Sequence, residues 1–131
     1  MALLFDALLN LWTLLSNPKL LDYIDELETE VLSWDNTTST THKYGGLQLN
    51  YDRKELGHIH SNGLVDMLLS KKVKLQLIQV YSRVQDHHSF KNSGWISFYI
   101  KDVEEKDFAI ELFALAYKYH SDKELSKLNI S

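Results

Sequence analysis

The spacing of apolar positions changes several times along the chain, and each change marks an element. In the opening MALLFDALLNLWTLLSNP, Asp6, Asn10, Thr13 and Asn17 recur at i, i+4, i+7 and i+11, one narrow polar stripe on a helix. A helix that is apolar nearly all round is expected to be covered by protein, here at a subunit interface. Asn17 and Pro18 predict the N-cap and first position of a second helix. In it Leu20, Ile24, Leu27 and Val31 hold helical spacing while Asp22, Asp25, Glu26 and Glu30 take the other face. That amphipathic helix is expected to end near Trp34.

The period then shortens. DNTTSTTHKYGG reads as a loop leading into a strand at Tyr44, and Leu47, Leu49 and Tyr51 alternate with Gln48 and Asn50 as a half-buried strand does. DRKE reads as a polar connection to a strand from about Leu56 to His60. Asn62-Gly63 predicts a two-residue type I′ turn, since both central positions of that turn need positive φ. That turn pairs His60 with Val65, Ile59 with Asp66 and His58 with Met67. It sets both histidines on the face of Val65 and Met67 and sends Asp66 to the other.

From Ser70, a predicted N-cap, helical spacing returns at Val73, Leu77, Val80 and Tyr81. RVQDHHSFKNSG is a polar connection, and WISFYIK alternates Ile96, Phe98 and Ile100 against Ser97 and Tyr99, a strand with one apolar face. Asp102 predicts the cap of a last helix with Glu104 and Glu105 in its first turn and Phe108, Leu112, Leu115 and Tyr119 on its core face. The polar tail from Ser121 is expected to fray.

This order predicts an α+β fold, a two-layer sandwich in which an antiparallel sheet is packed on one face by helices, with an N-terminal helical pair. The 131 residues suit one domain, divided into the helical pair (1–35), the α+β core (38–120) and the tail (121–131). The absence of cysteine excludes disulfides, thiolate metal sites and a thiol nucleophile, and makes a reducing cytoplasm the expected location. The opening stretch lacks a basic n-region, a small-residue cleavage site and an apolar run of about 20 residues, so neither export nor a membrane span is expected. Residues 1–35 hold seven acids and one lysine, −6, which leaves +2 for the rest of a chain of net charge −4. Lys71, Lys72 and Lys74 are the densest basic cluster; they read as the solvated start of a helix, and no nucleic-acid partner is expected.

Three stretches, YGGLQLNYDRKELGHIHSNGLVD, DHHSFKNSGWISFYI and FAIELFALAYKY, resemble the small luciferase-like domain family, mostly uncharacterised bacterial proteins that share a domain with a sponge luciferase. The resemblance spans roughly Tyr44 to Tyr119. Its spine is Gly57-His58-x-His60, Asp66, the pair His87-His88, and Ser93-Gly94-Trp95. The chain departs from the family where prolines are usual, after the Asp (here Met67) and after the histidine pair. The resemblance implies the domain and no settled chemistry. The last third also has a weaker likeness to double-wing α+β proteins; this implies nucleic-acid binding, against which the acidic balance stands.

His58 and His60, about 7 Å apart on one side of a strand, can converge on one metal ion if His87, His88, Asp66 or His42 supplies a third ligand. The spacing by itself better suits one histidine donating a hydrogen bond inside the sheet and the other lying at its edge, with a polar pocket as a further alternative. As a general base, either histidine needs an orienting partner; Asp66 is nearest in sequence, but the two-residue turn points it away. No Gly-x-Ser-x-Gly, phosphate-binding glycine loop, EF-hand or zinc signature is present. The expected function is a small-ligand or partner-binding module, its pocket lined by His58, His60, His88, Ser93 and Trp95, with Arg83 as an anion anchor. A metal is not the expectation; His58, His60 and His88 are the candidates if one binds. Two readings of other classes stand beside it: a metal-assisted or histidine-based enzyme on the same residues, and self-association as a homodimer through residues 2–16. Catalytic residues, cofactor and ligand identity are not specified by the sequence.

Overall fold

Thr40, Gln48, His58, Asp66, Ser97 and Gln85 stand side by side in one row that crosses a six-stranded sheet from edge to edge. The computed structural model describes Leu8 and residues 19–41, 46–87 and 91–130, with side chains through 123. The strands are β1 (Thr37–Thr41), β2 (Leu47–Tyr51), β3 (Lys54–Ile59), β4 (Leu64–Leu68), β5 (Gln85–Asp86) and β6 (Trp95–Tyr99). They pair antiparallel in the order β1-β2-β3-β4-β6-β5. The helices among the described residues are α1 (Leu20–Leu32), α2 (Lys71–Val80) and α3 (Val103–Ile130). The fold is α+β.

The rows on either side of the polar one, Leu47–Ile59–Val65–Phe98 and Leu49–Gly57–Met67–Ile96, point the other way, as the two-residue period of a strand requires. They form the core with Phe108, Ala109, Leu112, Phe113 and Ala116 of α3, and α1 adds Leu20, Leu27 and Val31. Gly57 marks how closely α3 crosses: a Cβ there would lie 2.6 Å from the Asp66 carbonyl oxygen and 3.1 Å from the Phe113 ring. The helix is seated on the sheet because that position has no side chain.

Local chemistry fixes the element ends. Ser70 Oγ accepts from the Val73 amide at the start of α2, and Asp102 Oδ1 accepts from the Glu105 amide at the start of α3, both as predicted. Thr37 Oγ1 donates to the Val31 and Trp34 carbonyls where α1 gives way to β1.

Several expectations are corrected. Within the described residues α1 begins behind Lys19, which offers no side-chain cap. Lys54 and Glu55 belong to β3, not to the connection. Gln85 and Asp86 form an edge strand inside what reads as a loop. Val80 and Leu115 are exposed, because each lies off the apolar arc of its helix. Lys74 is buried, its ammonium bonded to Asp86 and to the Lys91 and Ser93 carbonyls; that cage satisfies a charge otherwise costly to bury. α3 continues through the supposed tail to Ile130. Leu8, which is helical and exposed, is the one described residue of the first helix and its homodimer interface (residues 2–16); the others, with Asn17, Pro18, His42, Tyr44 and His88, lie outside the described residues. No helix among the described residues is long and apolar enough to cross a membrane.

Candidate functional site

The β3–β4 turn decides the site. The His60 amide donates to the Leu64 carbonyl and the Gly63 amide to the His60 carbonyl, so three residues, Ser61, Asn62 and Gly63, lie between the paired positions. Only Gly63 of these has positive φ, at 90°. This is a three-residue loop closed by a glycine, not the two-residue type I′ turn that Asn-Gly suggests. One added residue shifts the register by one. His58 pairs with Asp66, and Ile59 with Val65, so Asp66 shares the histidine face and Val65 and Met67 go to the core.

A second irregularity adds Glu55. Leu49 pairs with Gly57 but Asn50 with Glu55, which leaves Leu56 as the extra residue of a β-bulge. Without it, Glu55 and His58, three apart, would point to opposite faces; the bulge reverses the parity and brings both to one side. Glu55 Oε2 then lies 2.6 Å from His58 Nδ1.

The result is a buried centre around Asp66, which is 3% exposed. Its Oδ2 lies 3.0 Å from His58 Nε2 and 3.1 Å from His60 Nε2. Its Oδ1 accepts from Ser97 Oγ and stands 3.7 Å from His87 Nε2. Trp95 completes the wall, its ring centroid 5.9 Å from that of His58 and 6.1 Å from that of His87. The His58 and His60 rings meet edge to face at 5.2 Å. Toward β1, Gln48 donates to Asn50 Oδ1, and Asn50 in turn reaches Thr38 and Thr40.

Burial disfavours charge on His58, yet the hydrogen bonds to Asp66 and Glu55 and the charges of both outweigh it and push the imidazole up to about 9. At neutral pH His58 is therefore an imidazolium, donating through both nitrogens to flanking carboxylates. Burial likewise pushes the Asp66 carboxyl up, but bonds from His58, His60 and Ser97 and the charge on His58 hold it well below the usual carboxylate range. His58, His60 and Asp66 each offer a ligand atom, all within 4.8 Å of one another.

Of the sequence-predicted residues, His58, His60 and Trp95 come together. Ser93 does not join them through its side chain: its Oγ accepts from the Trp95 amide and its carbonyl holds Lys74. It lines a separate surface pocket of about 140 Å³ with Lys71, Lys74, Leu75, Lys91 and Asn92. Arg83 is stacked on Phe108, with Cζ 4.1 Å from the ring centroid, on the helical side of the sheet, so it is not at the histidine centre. Sequence reasoning missed Glu55 and Ser97 and misplaced Asp66. Ser97 was within reach, since it alternates with Ile96 and Phe98 on the polar face; Glu55 was not, because its parity depends on the bulge.

Residues 53–116 match the family model for the Luciferase domain, within the Tyr44–Tyr119 stretch of the resemblance and just under half of the chain. The match includes Glu55, His58, His60, Asp66, His87, Trp95 and Ser97. No curated protein and no solved structure matches the chain.

Proposed function

From the premise that this chain carries a luciferase-like domain over residues 53–116, we propose that it is a small-ligand-binding module whose ligand docks against His60 and Trp95 on the polar face of the sheet. The observation that carries this reading is the buried Asp66 carboxylate, which accepts from His58, His60 and Ser97 together. Residues from three strands are drawn to one point and locked there, the preorganisation that a binding site needs. His60 is the accessible member, its side chain 26% exposed beside buried partners.

The state of His58 favours binding over proton abstraction. A general base works best with a pKa near the working pH, whereas His58 is held protonated up to about 9. It presents a fixed cation to the cluster, not a lone pair to a substrate.

The test is a thermal-shift and NMR screen of polar aromatic and carboxylate compounds against chelator-treated protein. A ligand of the site raises the melting temperature of the wild type and loses that effect in His60→Ala and Trp95→Ala. If every stabilising compound acts equally on both variants, the module binds elsewhere and the reading fails.

A further inference from the structure

We propose that His58 Nε2, His60 Nε2 and Asp66 Oδ2 form a three-ligand site for one divalent first-row transition-metal ion. This rests on the ligand-binding reading for its location and deepens it by naming what occupies the floor of the site.

Convergence is the first argument. Both imidazole nitrogens address a single carboxylate oxygen, at 3.0 and 3.1 Å. Metal–ligand bonds of about 2.1 Å set at right angles have neighbouring donors about 3.0 Å apart. An ion can therefore enter with small side-chain rotations, displacing to solvent the proton that His58 Nε2 shares with Asp66 in the metal-free protein, since a ligating imidazole nitrogen must be unprotonated.

Orientation is the second. Asp66 has its two oxygens assigned to different tasks: Oδ1 is engaged by Ser97, with His87 nearby, while Oδ2 faces the histidines. The carboxylate is thus aimed as a monodentate ligand. Glu55 on His58 Nδ1 is the carboxylate–histidine support that fixes a metal-ligating imidazole with Nε2 toward the ion. The β-bulge at Leu56 exists in the pairing of β3 with β2, and its effect on this face is to deliver that support.

Donor type is the third. Two imidazoles and one carboxylate, with no thiolate in the chain, match ions from manganese to zinc and not the all-oxygen sites of calcium or magnesium. Three protein ligands leave coordination positions for water or for an organic ligand on the His60 and Trp95 side. The buried Asp66 carboxylate and the half-buried Glu55 carboxylate give the site the negative charge that a dication neutralises.

The full chain, purified without a histidine tag and stripped with chelator, is titrated with Co²⁺ followed by visible absorption, and with Mn²⁺ and Zn²⁺ by calorimetry. The expected result is saturation at about one ion per chain, with ligand-field bands of cobalt bound to nitrogen and oxygen donors. His60→Ala, at a partly exposed position, is expected to keep its far-UV circular dichroism and to weaken binding at least about 100-fold; Glu55→Gln is expected to weaken it about 10- to 100-fold. Absence of saturable binding overturns the proposal, and so does binding of equal strength in a folded His60→Ala protein. The compound screen is run on stripped protein, so failure of the metal titration leaves its outcome standing, and an organic ligand that fails to bind leaves the titration decisive.

Discussion

His58 and Asp66 face each other across the β3–β4 ladder with Nε2 and Oδ2 3.0 Å apart, both buried on the side of the sheet away from α3. Their pairing is what turns two strand histidines into one charged centre. It also gives the protein a measurable dependence on pH.

In metal-free protein the folded pKa of His58, about 9, lies above its unfolded value. Its stabilising contribution is therefore complete below about pH 6.5 and is lost as pH rises through about 9. Denaturant melts of stripped wild type across this window should lose on the order of 2 kcal/mol more than those of Asp66→Asn. Parallel curves for the two proteins would show that the pair carries no linkage.

His120 works in the opposite sense. It is buried on α3, and among the described residues neither ring nitrogen has a well-formed hydrogen bond. Burial first, then the charges of Lys123 and Lys54, hold its pKa down, offset only in part by the Leu68 backbone. The folded state prefers neutral His120, so stability falls as pH drops below about 6.5 toward that lowered value. His120→Leu is expected to stabilise by about 1 kcal/mol at pH 7 and by more at pH 5, read by thermal melts at both values.

Gly57 tests the seating of α3. Gly57→Ala places a methyl group 2.6 Å from the Asp66 carbonyl oxygen and 3.1 Å from Phe113. Neither the ladder nor the helix can move without the other, so a loss of about 2–4 kcal/mol is expected. A Gly57→Ala protein as stable as wild type in urea would refute the close packing.

The turn residues should separate cleanly. Gly63 sits at φ 90°, and a Cβ there would lie 2.7 Å from the Ile100 carbonyl oxygen, so Gly63→Ala should cost about 2–3 kcal/mol. Asn62, whose Oδ1 accepts from the Leu64 amide, should cost about 1 kcal/mol as Asn62→Ala. Equal losses from the two substitutions would favour the two-residue turn over the observed loop.

Much of the architecture is legible in the sequence because it follows from local periods. The alternation at Leu47–Tyr51 and at Ile96–Ile100 places β2 and β6, and helical spacing with Ser70 and Asp102 as caps starts α2 and α3 where the chain does. Lys74 shows the limit of such reasoning: its charge says surface, while the Asp86 carboxylate and two carbonyls from a distant loop make burial tolerable.

The candidate site was legible only as a pair of histidines. Sequence alone determined that His58 and His60 share a face, because a spacing of two fixes that in any strand. Whether Asp66 joins them depends on one residue in the turn, and whether Glu55 joins them depends on one residue in the bulge. Each inserts a single step into a two-residue period, which inverts every face beyond it. Ser97, His87 and Trp95 arrive through the pairing of β4 with β6 and of β6 with β5, the first of which joins Ser97 to Asp66, 31 positions away. Local preferences set the period of each strand; the counting of residues between strands, settled only when all six pack under α3, decided which side chains meet.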